Sequence, residues 1–467
     1  MRISKQLLIT IYVILTIAFL LRLGASRMPV LGTWDERFHA LVAKNLIDHP
    51  LEPTLYDQPV LAHDHEVWSQ THIYLEKPPL PMWLMAVSIY LLGLTEFAVR
   101  LPSILLATLS VWLTFLIGKR LFDRRVGMYA AFFHAIHGMT LELVGGRISN
   151  DHVDVIFLFF FEWGLWAVLE YFHQQKPLKY STLTIGLLTG LAFMCKWISA
   201  GFIPIIWFVL AIGFGRQKRL SFFLKEMLII ALGFFVVATP WLVYILEIYP
   251  EESRHTLLRV FMRVNSSIEL HQHPWYFFLD HARMIFGELI YLPMLWLLYK
   301  FLSKPGRKST LTLVALIFVP LLLISLMDTK RSPYLLLCAP GFFLLTGFFL
   351  HYFIKLSPRL RVPYPIKTLF LILIIGLPIR YSIERLKPFH PFSKEQAIKA
   401  SVDSTKLQLP VGESIVLFNE PYPIRTMFYC GITAYQQLPE PATLKKLVQE
   451  GYQVLIKEEN KVIPFEH

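Results

Sequence analysis

The chain has 467 residues, 55% of them hydrophobic and 17% charged, whereas an ordinary soluble domain carries about 25% charged residues. This excludes a soluble globular protein and points to a polytopic α-helical membrane protein, because several apolar runs reach the roughly 17–25 residues that cross a bilayer as helix. The net charge of +12 is not a nucleic-acid signature. Much of it lies in short loops between apolar runs, where it sets orientation.

The N-terminal segment "MRISKQLLITIYVILTIAFLLRLGAS" opens with Arg2 and Lys5. It reads as a retained first helix over 7–24 rather than a cleaved leader, whose apolar core is usually shorter. Further spans are predicted over 101–118, 127–145, 153–172, 182–195, 199–214, 227–246, 284–299, 310–327, 334–354 and 367–381. With the N-terminus cytoplasmic, alternate connections fall inside: "KRLFDRR", "HQQKPLKY", "RQKRLSFFLKE", "KFLSKPGRKS" and "KLSPRLRVPYPIK". All are basic, as cytoplasmic loops should be. Counting "PPLPMWLMAVSIYLLGL" (Pro78–Leu94) as a span would turn every one of them outside. That stretch is therefore expected to lie in the outer interface or dip into the membrane.

About eleven spans then leave three large outer segments, roughly 25–100, 247–283 and 382–467. Residues 1–381 are expected to form a transmembrane domain, and 382–467 a small extracytoplasmic α/β module. In that module "ESIVLFNE" reads as a strand and "ATLKKLVQEGYQVLIKEE" as a helix followed by a strand, by their periodicity. A connector role and a substrate-binding role are equally open for it. Cys195, Cys338 and Cys430 form no disulfide framework or CxxC motif.

Charge on the outer side concentrates in four places. Trp34, Asp35 and Glu36 follow the first span; taken alone, two acids there are a solvated helix start, since acids favour the first turn. Glu76 and Lys77 precede a double proline that stiffens the backbone and stops any helix before it. Lys77 is either a functional cation or a residue snorkelling to headgroups. In "GGRISNDHVDVIFLFFF", Arg147, Asp151 and Asp154 stand at the mouth of an apolar run. Asp151 and Asp154 would share a helix face, and carboxylates there are costly unless satisfied or used.

The fourth place is basic: Arg254, Arg259 and Arg263, then Lys330, Arg331 and Tyr334 in "DTKRSPYLLL". Positive charge is disfavoured on the outer side, and a lipid phosphate is the simplest reason to keep it; an ion pair with Asp328 is the alternative. His271 and His273 form a polar loop. A divalent cation there would draw on these two and Glu76, and two histidines alone are not a site.

The order of these features resembles the protein O-mannosyltransferase-like superfamily of GT-C glycosyltransferases (glycosyltransferase family 39), in its bacterial 4-amino-4-deoxy-L-arabinose lipid A transferase-like branch. The resemblance rests on "WDERFHALVAKNLI", "YLEKPPLPMWLMAVSIYLLGLTEFAVRLPS", "GRISNDHVDVIFLFF", "HQHPWYFFL" and "TKRSPYLLLCAPGFFLL", and runs from about residue 30 to 350. It implies a bacterial inner-membrane enzyme with its active site and C-terminal module in the periplasm. The donor would be a polyprenyl-phosphate-linked sugar, and the acceptor a lipid, a protein or a glycan. No nucleic acid or certain cofactor is implied. Asp35 would be the base of an inverting transfer, Glu36 its orienting partner, and Asp151 or Asp154 a second acid. Lys77, Arg147, Arg259, Arg263, Lys330, Arg331 and Tyr334 would meet the phosphate. The competing reading is a flippase for lipid-linked sugars, although transporter sites usually lie at the midplane.

Overall fold

The computed structural model describes residues 5–63, 71–148, 150–173, 181–215, 220–266, 271–303, 307–359, 361–412, 414–459 and 461–465. Parts of the basic connections, at 174–180, 216–219 and 304–306, fall outside that set. The chain divides into two compact units. One comprises Met1–Ala25, Ser103–Val144 and Val153–Pro388; the other comprises Ser26–Pro102, Gly145–His152 and Phe389–His467.

In chain order the helices up to the middle of the sequence are α1 (Lys5–Ala25), α2 (Asp35–Asn45), α3 (Leu80–Leu92), α4 (Glu96–Leu121), α5 (Arg124–Ala135), α6 (Gly138–Val144), α7 (His152–His173), α8 (Ser181–Lys196), α9 (Phe202–Gly213) and α10 (Leu220–Ile248). They are followed by α11 (Pro250–Asn265), α12 (Phe277–Phe286), α13 (Tyr291–Ser303), α14 (Lys308–Leu326), α15 (Ala339–Leu356) and α16 (Tyr364–Leu386). The C-terminal segment holds α17 (Ser393–Gln408), β1 (Ile415–Phe418), α18 (Pro423–Cys430), β2 (Thr433–Ala434), α19 (Pro441–Gln449), β3 (Gln453–Glu458) and β4 (Lys461–Pro464). The protein is a multi-pass, mostly helical membrane protein with a small sheet near its C-terminus.

Among the described residues eight helices are long and apolar enough to cross a membrane, or nine if the bent pair Phe277–Phe286 and Glu288–Ser303 is one span. The difference from the expected eleven has local causes. The predicted span over 127–145 is broken into α5 and α6, of 12 and 7 residues, each too short for a bilayer alone. The carbonyls exposed at that break are taken up by Arg22, whose guanidinium donates to Ala135 O at 3.1 Å and His134 O at 3.4 Å. The expected spans over 182–195 and 199–214 run together as Ser181–Gly213, interrupted by a 3₁₀ turn at Trp197–Gly201. A helix–helix contact nearby depends on small residues: a Cβ built on Gly186 of α8 would lie 2.2 Å from the Ile230 carbonyl of α10.

In the second unit, α3 starts behind Pro79 and stops at Gly93, whose φ is +84°. With 13 residues it is too short to span a bilayer straight, and Val87, Tyr90, Leu91 and Leu92 are exposed along it. The C-terminal sheet has the order β2-β1-β3-β4. β1 pairs in parallel with β2 and β3, and β4 runs antiparallel to β3. The expected strand, helix and strand are thus β1, α19 and β3. Helix α18 docks this segment on the stretch after the first span. Arg425 Nε donates to Leu31 O at 2.8 Å, and the Tyr429 hydroxyl accepts from Leu31 N–H at 3.1 Å and donates to Glu96 at 2.7 Å.

Candidate active site

Helix α2 begins at Asp35 with Trp34 as its N-cap residue and no side-chain cap. Acids in a first turn meet unsatisfied N–H groups and the positive end of the helix dipole. The two neighbouring acids nevertheless differ sharply. Glu36 is 1% exposed, whereas Asp35 is half-buried and the Trp34 side chain beside it is exposed.

Glu36 is clamped from several directions. Gly32 N–H donates to its carboxylate. Arg100 of α4 donates to both oxygens, at 2.7 and 3.2 Å, a two-pronged pairing that suits guanidinium and carboxylate planes. His152 Nε2 lies 2.9 Å from Oε1. Burial alone would raise the Glu36 carboxyl, but Arg100 and His152 outweigh it and hold it well below the ordinary carboxylate range. The same arginine donates to the carbonyls of Ser26, Met28 and Val30 at 2.7–3.0 Å, so the backbone leading into Asp35 is held by one fully buried cation. Gly146 makes room for this: at φ +61°, a Cβ on it would lie 2.2 Å from the Glu36 carboxylate.

One turn along α2, His39 completes a second buried pair. Its Nδ1 lies 2.6 Å from Asp151 Oδ2, and its Nε2 lies 3.2 Å from the Tyr74 hydroxyl. An ionised carboxylate only accepts, so His39 Nδ1 donates to an ionised Asp151. Asp151 is 1% exposed, so it faces His39 and not bulk water. In the same unit Glu76 is buried and Lys77 half-buried just before Pro78 and Pro79, and the Arg147 guanidinium lies 5.2 Å from the Phe392 ring centre.

The first unit carries the remaining candidates. Asp154, in the first turn of α7 and 3% exposed, is ion-paired with Lys196 at the end of α8. The Lys196 ammonium also lies 5.4 Å from the Tyr334 ring centre. The break that frees Lys196 from the helix has Trp197 at φ +28°, a strained backbone for a bulky residue. Lys330 is buried; its ammonium donates to Met327 O at 2.5 Å rather than pairing with Asp328, and its N–H donates to His271 O at 3.0 Å. Gln272 and Thr329 form an antiparallel bridge, so the "HQH" and "DTKR" segments are joined. His273 stacks on Phe277, and Arg331 and Tyr334 are half-buried. On α11 Arg254 is exposed and Arg259 half-buried, and the side chain of Arg263 lies outside the described residues. Among the described residues no three His, Cys, Asp or Glu side chains gather as metal ligands.

A family model described as dolichyl-phosphate-mannose-protein mannosyltransferase matches residues 76–244. The undecaprenyl phosphate-alpha-4-amino-4-deoxy-L-arabinose arabinosyl transferase 2 of Pseudomonas fluorescens (strain Pf0-1) is 27% identical over 311 residues, 63% of this chain and 53% of that protein. The fold matches the crystal structure of ArnT from Cupriavidus metallidurans bound to undecaprenyl phosphate with a TM-score of 0.68 at 14% identity, over 96% of this chain and 88% of that one. The chain is thus similar in sequence to these transferases and shares the fold of ArnT. A Pseudomonas aeruginosa (PAO1) protein with the same activity in its name is 26% identical over 60% of this chain and 51% of its own length. The GT-C fold is shared more distantly with the archaeal oligosaccharyltransferase AglB from Archaeoglobus fulgidus, at a TM-score of 0.59 and 13% identity, over 96% of this chain and 69% of that one. The chain spans about half the length of the curated arabinosyl transferases it matches.

Several residues that hold the candidate acids in each unit escape a sequence reading. Arg100, His39, His152 and Tyr74 clamp the acids, and Lys196 pairs with Asp154. Arg100 and Lys196 carry a retrospective signal, because each is a cation within or ending an apolar helix, where charge is costly unless it has a partner. His39 and Tyr74 carry none, being ordinary components of an amphipathic stretch and a loop.

Proposed function

We propose that the protein transfers a sugar from a polyprenyl-phosphate donor to a hydroxyl or phosphate of a lipid, protein or glycan acceptor at the periplasmic face of a bacterial inner membrane, with inversion at the anomeric carbon. The observation that carries the reading is the contrast within one dipeptide. Glu36 is locked under Arg100, and Asp35 beside it stays half-exposed on a backbone that the same arginine holds. Asp35 is the general base. It takes the acceptor proton as the acceptor oxygen bonds to the anomeric carbon and the bond from that carbon to the phosphate oxygen breaks. Glu36 positions it, and Asp151 acts through His39 as a second support of α2. Asp154 remains the alternative second acid, through its pairing with Lys196.

The donor phosphodiester carries one negative charge and the departing monoester two, so cations at the phosphate lower the barrier. Lys77 and Arg147 are proposed for this in the second unit, and Lys330, Arg331, Arg259, Arg263 and Tyr334 in segments that loop charge assigns to the outer side. Residues 1–381 supply the membrane domain in this reading, and 382–467 the periplasmic module.

The test is transfer of label from a radiolabelled polyprenyl-phosphate sugar to an acceptor extract by the purified full chain. Label should enter the acceptor, and Asp35→Asn should lower the rate about 10²–10⁴-fold with donor binding retained. Label that only changes leaflet would favour a flippase, and an Asp35→Asn variant of normal rate would remove Asp35 as base.

A further inference from the structure

At the far end of α4 from Arg100, a cavity of about 760 Å³ opens between α4, the start of α5 and the end of α15. Its polar lining includes Lys119, Arg124, Arg125, Tyr129, His351 and Lys355. A second cavity of about 400 Å³ shares Phe122, Asp123, His351 and Lys355 with the first and adds Lys300, Arg307 and Arg359. Cations from four separate stretches thus border two adjoining hollows.

The charge there is unbalanced. Asp123 is the one carboxylate among the described residues lining either cavity, and it is already engaged. Its Oδ1 accepts from Arg125 N–H at 2.8 Å and Val126 N–H at 2.9 Å, and its Oδ2 lies 3.5 Å from His351 Nε2. Arg124 and Arg125 moreover occupy the first turn of α5, where the helix dipole disfavours cations. Orientation by positive loops explains basic residues on this side, but not their convergence on a concave space or their placement at a helix N-terminus. A bound anion accounts for both.

The level of the cavity points to the source of that anion. α4 and α15 are candidate membrane spans that end at Leu121 and Leu356, so the cavities lie at the ends of spans, where headgroups sit. Apolar Phe122 and Ile354 in the first cavity, and Phe348 and Leu356 in the second, offer contacts to a lipid backbone. Basic pockets between span ends are a recurrent way of holding anionic headgroups. We propose that the two cavities form a headgroup site for an anionic phospholipid carrying two phosphates, one phosphate in each hollow. The proposal does not depend on the proposed transfer chemistry.

The full-length protein, purified and reconstituted in phosphatidylcholine nanodiscs, would be titrated with cardiolipin and, separately, with phosphatidylglycerol, with retained lipid measured by native mass spectrometry. Cardiolipin should bind saturably and more tightly than phosphatidylglycerol. An R124Q/R125Q/K355Q variant should weaken cardiolipin binding about tenfold or more, equivalent to about 1.4 kcal/mol. A control K225Q/K367Q variant, which removes two charges near the N-terminal ends of α10 and α16 and touches neither cavity lining, should stay within about twofold of the unmodified protein. Glycerophosphate at millimolar levels should not displace the lipid. Equal losses in the two variants, equal binding of both lipids, or full displacement by glycerophosphate would overturn the proposal. If the triple variant fails to fold, K355Q alone, altering an exposed side chain, should still weaken cardiolipin binding relative to the control.

Discussion

His39 and Asp151 meet at 2.6 Å between imidazole and carboxylate, both buried, and the same two segments are tied again with the partners reversed. One turn earlier on α2 the acid is Glu36, and one residue later in the other segment the imidazole is His152, 2.9 Å away. Residues three apart on a helix share a face, so one face of α2 grips two consecutive residues of the segment entering α7. Asp35, on the same turn as Glu36, inherits this rigidity.

Glu36→Gln should be strongly destabilising. It leaves the fully buried Arg100 guanidinium without its counter-charge, and breaking a buried pair from one side typically costs about 3–5 kcal/mol. The expected result is a markedly lower melting temperature of the detergent-solubilised protein. A melting temperature unchanged from that of the unmodified protein would mean that the clamp contributes little.

The same pair predicts a pH dependence with a definite sign. The Glu36 carboxyl is held below its ordinary range by Arg100 and His152 against the opposing effect of burial. A lowered folded-state pKa contributes stability that is complete above the unfolded carboxyl range and is lost as pH falls through that range toward the folded value. The stability gap between the unmodified protein and Glu36→Gln should therefore be widest near neutral pH and shrink below about pH 4.3. Melting curves from neutral to acid pH measure it; a gap independent of pH would count against the ion pair.

Lys196→Met should harm the protein more than the double variant Lys196→Met/Asp154→Leu. The single change strands a buried carboxylate, whereas the double change replaces the pair with apolar groups, which is often nearly neutral for stability. The two substitutions should depart from additivity by about 0.5–3 kcal/mol, read from denaturation of both single variants and the double. Recovery of stability without recovery of sugar transfer would give Asp154–Lys196 a role beyond packing.

Gly146→Ala should destabilise by about 1–3 kcal/mol, the usual cost of a strained left-handed backbone at a non-glycine residue. Its methyl group would also press on the Glu36 carboxylate, 2.2 Å from the built Cβ. The effect should shrink in a Glu36→Ala background, where the carboxylate is gone, and a double-variant melting series checks this.

Much of the architecture was legible in the amino-acid order because the bilayer imposes a length and hydropathy rule on each span. Loop charge kept Pro78–Leu94 out of the expected spans, and the helix there, Leu80–Leu92, has only 13 residues; period-two and helical patterning located β1, α19 and β3. The break between α5 and α6 was not legible. The run around "FFHAIHGM" stays apolar through it, and the carbonyls it exposes are satisfied by Arg22, which is 113 residues from Ala135 in sequence.

The candidate site divides in the same way. Sequence alone determined that Asp35, Glu36, Asp151 and Asp154 are acids in an apolar chain, since charge beside a membrane is conspicuous whatever the fold. Tertiary structure decided partners that no local pattern shows: Arg100 for Glu36, 64 residues away, His39 for Asp151, 112 residues away, and Lys196 for Asp154, 42 residues away. Nothing in local spacing encodes such partners. A carboxylate is exposed or neutralised by whatever the folded chain brings within about 3 Å of it, and that is settled only when the helices pack.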